Sequence, residues 1–209
     1  MNKNAVIVSF EGIDGSGKTT QAKKFFRYLK NNGIDAIFYR DPGTTVVGEK
    51  LRKILLSKKD NISPLTELFL YLAARNELVS QLILPASRKK IVIVLDRFID
   101  STIAYQGYGR GIPLELIELA HKSILNGLKP DITFLIDASP DSLRKNINKV
   151  PDRLEKSITF QRKVRQGYIA IAKKEPGRIR VIKRKSKEET FKSIIKYWQE
   201  FVDECNTGT

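Results

Sequence analysis

Two residue types that build many catalytic and structural centres are nearly missing. The chain of 209 residues has one cysteine, Cys205, and one histidine, His121. A single thiol excludes an internal disulfide and a cysteine metal cluster, and a single imidazole excludes a histidine-rich metal site. His121 falls in an amphipathic helical pattern over residues 114–125, which points to a surface or packed helix residue rather than a catalytic base. Long apolar runs are absent too, and none approaches the roughly 18 residues of a membrane helix. The first residues carry one lysine before a six-residue apolar run, too short for a secretory leader. The expectation is a cytoplasmic chain with no membrane association. Methionine and tryptophan occur once each.

Charge, by contrast, is plentiful and one-sided. Lysine and arginine number 38 against 23 acidic residues, a formal net charge of +15, with the basic residues heaviest over residues 144–196. Three readings compete: nucleic-acid binding, a site handling several phosphates, and a lysine-rich surface of the heat-adapted kind. The basic stretch has no interleaved stacking aromatics of the RNA-recognition type, so nucleic acid is not expected and the last two readings are favoured together. A hydrophobic fraction of 41% and a length of 209 residues fit one globular domain, residues 1–209.

The stretch that organises the chain is Gly12-Ile13-Asp14-Gly15-Ser16-Gly17-Lys18-Thr19-Thr20. It follows a β-branched run at residues 6–10 and opens a helical pattern at residues 21–31, the context a phosphate-binding loop requires. Glycines let backbone N–H groups turn inward around phosphate oxygens, and the start of the following helix adds positive potential. Lys18 reaches the β- and γ-phosphates, and the Thr19 hydroxyl is a Mg²⁺ ligand candidate.

Strand patterns recur at residues 36–39, 91–96, 132–137 and 178–182, alternating with helical ones. That alternation predicts an α/β fold with a parallel sheet and helices on both faces, and ligands beyond the carboxyl ends of the strands. Arg40 and Arg52 bracket a Pro/Gly loop after the second strand. A Ser-Pro start at residues 63–64 predicts a helix running to about residue 84, stopped by Pro85. Tyr71 and Arg75 are four apart and share its face, suited to stacking and bonding a base; taken alone, a core aromatic with a snorkelling arginine is the plainer reading. Asp96 ends the strongest strand, as a Mg²⁺-organising acid does, and Arg97 beside it suits an acceptor phosphate. Residues 107–111 read as a mobile loop. Helices are expected over residues 113–126, 141–147 and 157–174. Ser186 and Glu189 resemble a capping box that opens a final amphipathic helix, in which Trp198 packs inward. The end, residues 207–209, is expected to fray.

Asn148-Lys149-Val150-Pro151 fails the GTPase base-reading pattern at its fourth position, and Arg97 stands where a motor-type ATPase often has a second acid. A small-molecule kinase fits better. Four blocks then resemble the thymidylate kinase (dTMP kinase) family: Phe10 to Gln21; Arg40 to Arg52; Asp96-Arg97-Phe98 with Ser101 and Ala104-Tyr105-Gln106-Gly107; and Asp152-Arg153-Leu154-Glu155 followed by Arg162 to Tyr168. The resemblance implies a P-loop NTPase fold with a five-stranded parallel sheet, a homodimer, and transfer of the ATP γ-phosphoryl group to dTMP in dTTP biosynthesis. It implies that residues 12–20 bind ATP, with Thr19 and Asp96 serving Mg²⁺. It puts Asp14 on the sugar 3′-hydroxyl, Arg97 on the acceptor phosphate with Arg40 or Arg52 assisting, Tyr71 stacked on thymine and Arg75 bonded to it. Ser101 and Gln106 would line the base pocket, and Tyr105 would crowd the sugar 2′ position.

Arg153 would be the catalytic cation of a lid at about residues 144–156, with Arg144 or Lys149 in reserve, because no arginine lies between Asp14 and Lys18. The chain departs from the family's usual Glu-Pro-Gly-Gly-Thr loop with Asp41-Pro42-Gly43-Thr44-Thr45, and asparagines 146 and 148 stand where its lid is arginine-rich. The alternatives are another nucleoside monophosphate or deoxynucleoside kinase of the same fold, or a basic nucleic-acid-binding P-loop ATPase.

Overall fold

The computed structural model describes residues 4–57, 61–144 and 158–207. Five strands, β1 (Val6–Glu11), β2 (Ala36–Arg40), β3 (Val92–Asp96), β4 (Ile132–Asp137) and β5 (Ile179–Lys183), form one sheet in the order β2-β3-β1-β4-β5. Every pairing is parallel. The register sets Phe10 and Arg40 on either side of Asp96, so three strands reach their carboxyl ends together. In a parallel sheet that shared edge is where loops meet ligands.

Strand residues alternate between two cores, as the two-residue period of a strand requires. Val8, Phe10, Val94 and Phe134 face helix α1 (Lys18–Asn31) and helix α9 (Lys187–Thr207), meeting Phe25 and Trp198. Ile7, Ile93 and Leu95 face the other way, onto Leu78, Val79, Ile83 and Phe98. Between the outer elements run α2 (Val46–Leu56), α3 (Pro64–Leu78), α4 (Leu84–Ser87), α5 (Ile99–Thr102), α6 (Leu114–Leu125), α7 (Pro140–Arg144) and α8 (Ile158–Lys174).

Two expectations in the middle of the chain need correcting. Pro85 does not stop its helix: α3 passes through a π-helical turn, Val79–Ile83, into α4, which ends at Ser87. The wider turn, with Leu84 N–H reaching Val79 O, restarts the ladder so that Pro85 stands at the head of a new α segment, where a missing N–H costs little. Nor is residues 107–111 a mobile loop. Residues up to Gly109 belong to a π-helical segment, Ile103–Gly109, that continues α5. Its glycines serve close packing: a Cβ on Gly107 would lie 2.5 Å from Leu114 Cδ2, and one on Gly109 would lie 2.7 Å from the Phe160 ring.

The capping box does form, with Glu189 N–H donating to Ser186 Oγ at 3.2 Å and Ser186 N–H to Glu189 Oε2 at 3.3 Å. Trp198 is buried against Phe25 as expected. Thr207 closes α9 rather than fraying, while residues 208–209, like Arg153 and most of the expected lid, lie outside the described residues.

Candidate active site

The loop after β1 is shaped before any ligand arrives. Gly12 has φ +144, and a Cβ there would meet Ile136 O at 2.6 Å, so only glycine lets this turn pass under β4. Gly17, at φ +93, starts α1 with no side-chain cap, which leaves the first-turn N–H groups for an anion. Lys18 is almost buried, with Nζ 3.5 Å from Asp14 Oδ1. Burial first, then the charge on Arg97, pulls its ammonium below the usual lysine range. Ser16 Oγ is buried with no hydrogen-bond partner among the described residues.

Beside this loop a cleft of about 490 Å³ is lined by Thr19, Lys23, Phe38, Arg40, Thr44 and Asp96. Asp96 Oδ1 is buried there without a partner among the described residues. A hydroxyl and an orphaned carboxylate oxygen sharing one cleft fit Mg²⁺, a hard cation that takes one or two protein oxygens and completes its shell with water and phosphate. Among the described residues no group of three or more acidic, histidine or cysteine side chains could hold a metal unaided.

A second cleft, about 540 Å³, lies beyond the ends of the strands, walled by the loops after β1, β2 and β3, by α2 and α3, and by the stretch from α5 to Gln106. Arg97 stands at its mouth in the left-handed conformation, φ +71, which a non-glycine residue adopts rarely and which turns its side chain back over the sheet edge. Its Nη1 donates to Gly12 O (3.1 Å), Ser101 Oγ (3.1 Å) and Tyr168 OH (3.0 Å). Its Nη2 pairs with Asp14 Oδ1 and donates to Tyr105 OH at 3.1 Å. Tyr105 OH in turn donates to Asp14 Oδ2 at 2.8 Å. Burial alone would raise the Asp14 carboxyl, but Arg97 and Lys18 outweigh it and hold that carboxyl well below the usual range. The loop and Arg97 are therefore joined through one ionised carboxylate.

Behind them sits Glu11, fully buried at the end of β1. Burial, followed by the Asp100 carboxylate, pushes its carboxyl up to about 7, against the opposing pull of Arg97.

The inner end of the cleft is built around Arg75, only 1% exposed. Nε donates to Asp41 Oδ2 at 2.6 Å, and Nη2 to Phe98 O at 3.1 Å. Nη1 donates to Thr102 Oγ1 at 2.7 Å and meets His121 Nε2 at 2.9 Å. A guanidinium has five N–H donors, so four are committed and one on Nη2 remains. The His121 contact requires an unprotonated Nε2, and burial together with the Arg75 charge pushes this imidazole down to about 3. Tyr71, one turn before Arg75, also lines the cleft.

Asp14, Arg52, Tyr71, Arg75, Arg97, Ser101, Tyr105 and Gln106 are thus brought to one cleft. Arg40 is not: it lines the Thr19 cleft, and its Nη2 pairs with Glu49 Oε1 at 2.6 Å. Arg52 donates to Pro42 O at 3.1 Å. Arg75 is fixed by protein contacts to a degree that a surface-snorkelling reading does not capture. Asp41, Pro42, Leu56 and Thr102 also line the cleft and were not singled out from sequence. The signal for Asp41 was present, an acid at a strand's ligand end, but its partner lies 34 residues away.

A parallel sheet in this order, with a glycine cradle after its central strand, is the P-loop NTPase fold, and here it carries a phosphotransferase. The thymidylate kinase family model matches residues 10–195. A thymidylate kinase from Caldanaerobacter subterraneus subsp. tengcongensis is 46% identical over 177 residues, 84% of this chain and 85% of that one. One from Chlorobium luteolum is 43% identical over 202 residues, 91% of this chain and 94% of that one. The solved thymidylate kinase of Ehrlichia chaffeensis superposes with a TM-score of 0.77 at 37% identity, covering 93% of this chain and 98% of its own. The chain belongs to the thymidylate kinase family.

Proposed function

We propose that this chain transfers the terminal phosphoryl group of ATP to dTMP, giving ADP and dTDP for dTTP synthesis. The observation that carries this reading, beside family membership, is the convergence of Lys18 and Arg97 on the Asp14 carboxylate. Residues 12–20 hold the triphosphate. Thr19 and Asp96 hold Mg²⁺, which supplies positive charge to the phosphate oxygens when bound.

The acceptor is a phosphate monoester with a second pKa of about 6, so at pH 7 it is mostly a dianion and needs no general base. The task left to the protein is to bring two polyanions together and to meet the spreading charge. Lys18 does this on the donor side and Arg97 on the acceptor side, with Arg52 and Arg40 adding positive charge nearby. Arg153 is proposed as a further cation at the transferring group. Asp14, ionised by its neighbours, accepts from the 3′-hydroxyl, and Tyr105 limits room at the 2′ position.

Tyr71 stacks on the base. The remaining Nη2 donor of Arg75 asks for a base carbonyl, which thymine and uracil present and which the cytosine amino group does not match. Ser101 and Gln106 complete the pocket walls. A panel of nucleoside monophosphates with ATP and Mg²⁺ tests this. dTMP should be the best acceptor, dUMP slower by about 10- to 200-fold for the lost methyl contact, and dCMP poorer still. Faster turnover of any purine monophosphate or of dCMP contradicts the reading.

The chain is further proposed to act as a homodimer of single domains. Leu65 and Phe69 on α3, 45% and 54% exposed, and Leu116 and Leu119 on α6 supply apolar surface suited to a second copy. A reducing, cytoplasmic compartment suits its one free cysteine, Cys205. None of the described helices is long and apolar enough to cross a membrane. Nucleic acid is not among the proposed ligands.

A further inference from the structure

Arg97 faces the acceptor, yet two of the side chains that hold it are themselves held from behind by a group outside the cleft lining. Four groups hydrogen-bond the two oxygens of Glu11. Phe98 N–H reaches Oε1 at 2.7 Å, and Ser9 Oγ reaches the same oxygen at 3.1 Å. Ser101 Oγ and Tyr168 OH reach Oε2 at 2.6 Å and 2.9 Å. These two hydroxyls also lie 2.9 Å from each other, and each, having one proton, keeps lone pairs free to accept. Both oxygens then accept from Arg97 Nη1. The Phe98 amide is the one that directly follows the left-handed Arg97, so its bond to Glu11 pins the backbone turn as well.

We propose that Glu11 is a positioning residue for the phosphoryl-acceptor half of the site. It fixes Arg97 through three intermediaries, the Phe98 amide and the Ser101 and Tyr168 hydroxyls. Tyr168 brings α8 into the same network from 157 residues away in sequence. The proposal rests on Arg97 serving the acceptor phosphate. Its chemistry is one of polarity. An amide at position 11 would place N–H donors where Oε2 now meets Ser101 and Tyr168, so these two hydroxyls, themselves 2.9 Å apart, would have to redistribute their protons and with them their contacts to Arg97. A buried carboxylate costs desolvation, and a hydrophobic replacement would pack more simply. What the carboxylate gives in return is a single orientation of the acceptor-side cation.

The test is a comparison of wild type, Glu11→Gln and Tyr168→Phe by steady-state kinetics with each nucleotide varied, beside thermal melting. In Glu11→Gln, kcat/KM for dTMP should fall by about 10- to 100-fold, as expected for loss of an orienting partner. The KM for ATP should stay within about twofold, since that side of the site keeps its contacts. Tyr168→Phe removes one arm and should raise the KM for dTMP by several-fold, again sparing ATP.

Should Glu11→Gln fail to fold, Tyr168→Phe decides alone. Unchanged dTMP parameters in a folded variant overturn the proposal, as does an equal loss for both nucleotides. Wild-type protein inactive on dTMP overturns the functional reading instead, and the two failures are thereby distinct.

Discussion

At the scale of single residues, Lys18 and Arg97 both pair with Asp14, and the proposed chemistry rests on these two cations. Removing one pre-organised electrostatic contact typically costs about 10²–10³ in rate. Lys18→Ala and Arg97→Ala should each lose at least that much in kcat/KM, Arg97→Ala chiefly through dTMP. Near-native turnover of Arg97→Ala at saturating dTMP would remove Arg97 from the acceptor side.

His121 gives a second, independent test. Its folded pKa, about 3, lies below the ordinary 6.5. The unfolded chain therefore binds the proton more readily between those values, and the stability His121 contributes is present above 6.5 and lost as pH falls toward 3. Glu11, raised to about 7, acts in the opposite sense between pH 4.5 and 7. In His121→Gln the first contribution is gone. The stability gap between wild type and variant should narrow by up to about 1.4 kcal/mol per pH unit below 6.5, measured by urea denaturation at pH 7, 6 and 5. A constant gap would mean that His121 is not held neutral.

Residues whose role is written in their spacing were legible from sequence. Gly12, Gly17, Lys18 and Thr19 fall in one nine-residue window, and the loop shape they set is local. Glu11 and Tyr168 were visible only as members of resembling blocks, because their partnership spans 157 residues and depends on how α8 packs on the Ile103–Gly109 segment. His121 was read as a surface or packed residue. Its burial decides between those two readings, and its bond to Arg75, 46 residues earlier, was not foreseen.

At the scale of elements, the interlock of α8 with the Ile103–Gly109 segment places Tyr105 and Tyr168 against Arg97. Each element inserts an aromatic side chain where the other has a glycine: Phe160 over Gly109, and Tyr108 over Gly167. A Cβ on Gly167 would come within 2.8 Å of Tyr108 Cβ and Cγ. Gly167→Ala should therefore cost about 1–3 kcal/mol in overpacking and lower kcat/KM for dTMP, read by urea denaturation and kinetics together. A fully stable, fully active variant would show that this packing does not set the cleft.

The strands were read to within a residue because β-branched runs with abrupt ends mark them. The helical segments were misread where glycine and proline met. Gly107 and Gly109 resemble loop punctuation, yet they are small because neighbouring side chains press on them. Pro85 resembles a stop, yet a π-turn absorbs it.

At the scale of the whole molecule, a sheet edge where β1, β2 and β3 end together brings the glycine loop, Asp96 and Arg97 side by side, the residues proposed for donor, metal and acceptor. The strand order could not be read from the chain, since alternation fixes a parallel sheet but not which strands are neighbours. A net charge of +15 fits a protein that handles two polyanions. The exposed apolar residues of α3 and α6 set a further expectation. Wild type should run as a dimer in size-exclusion chromatography with light scattering, and Phe69→Glu, with its charge on that face, should shift toward monomer. A monomeric wild type would leave that face without its proposed partner.

The most direct test of the two-cleft arrangement is calorimetric titration of dTMP into wild type and Arg97→Ala, without ATP. Wild type should bind one dTMP per chain, and Arg97→Ala should bind it at least about tenfold more weakly for the lost charge-assisted contact. Equal affinity in both proteins, or no binding to the folded wild type, would contradict the assignment of the Arg97 cleft to the acceptor.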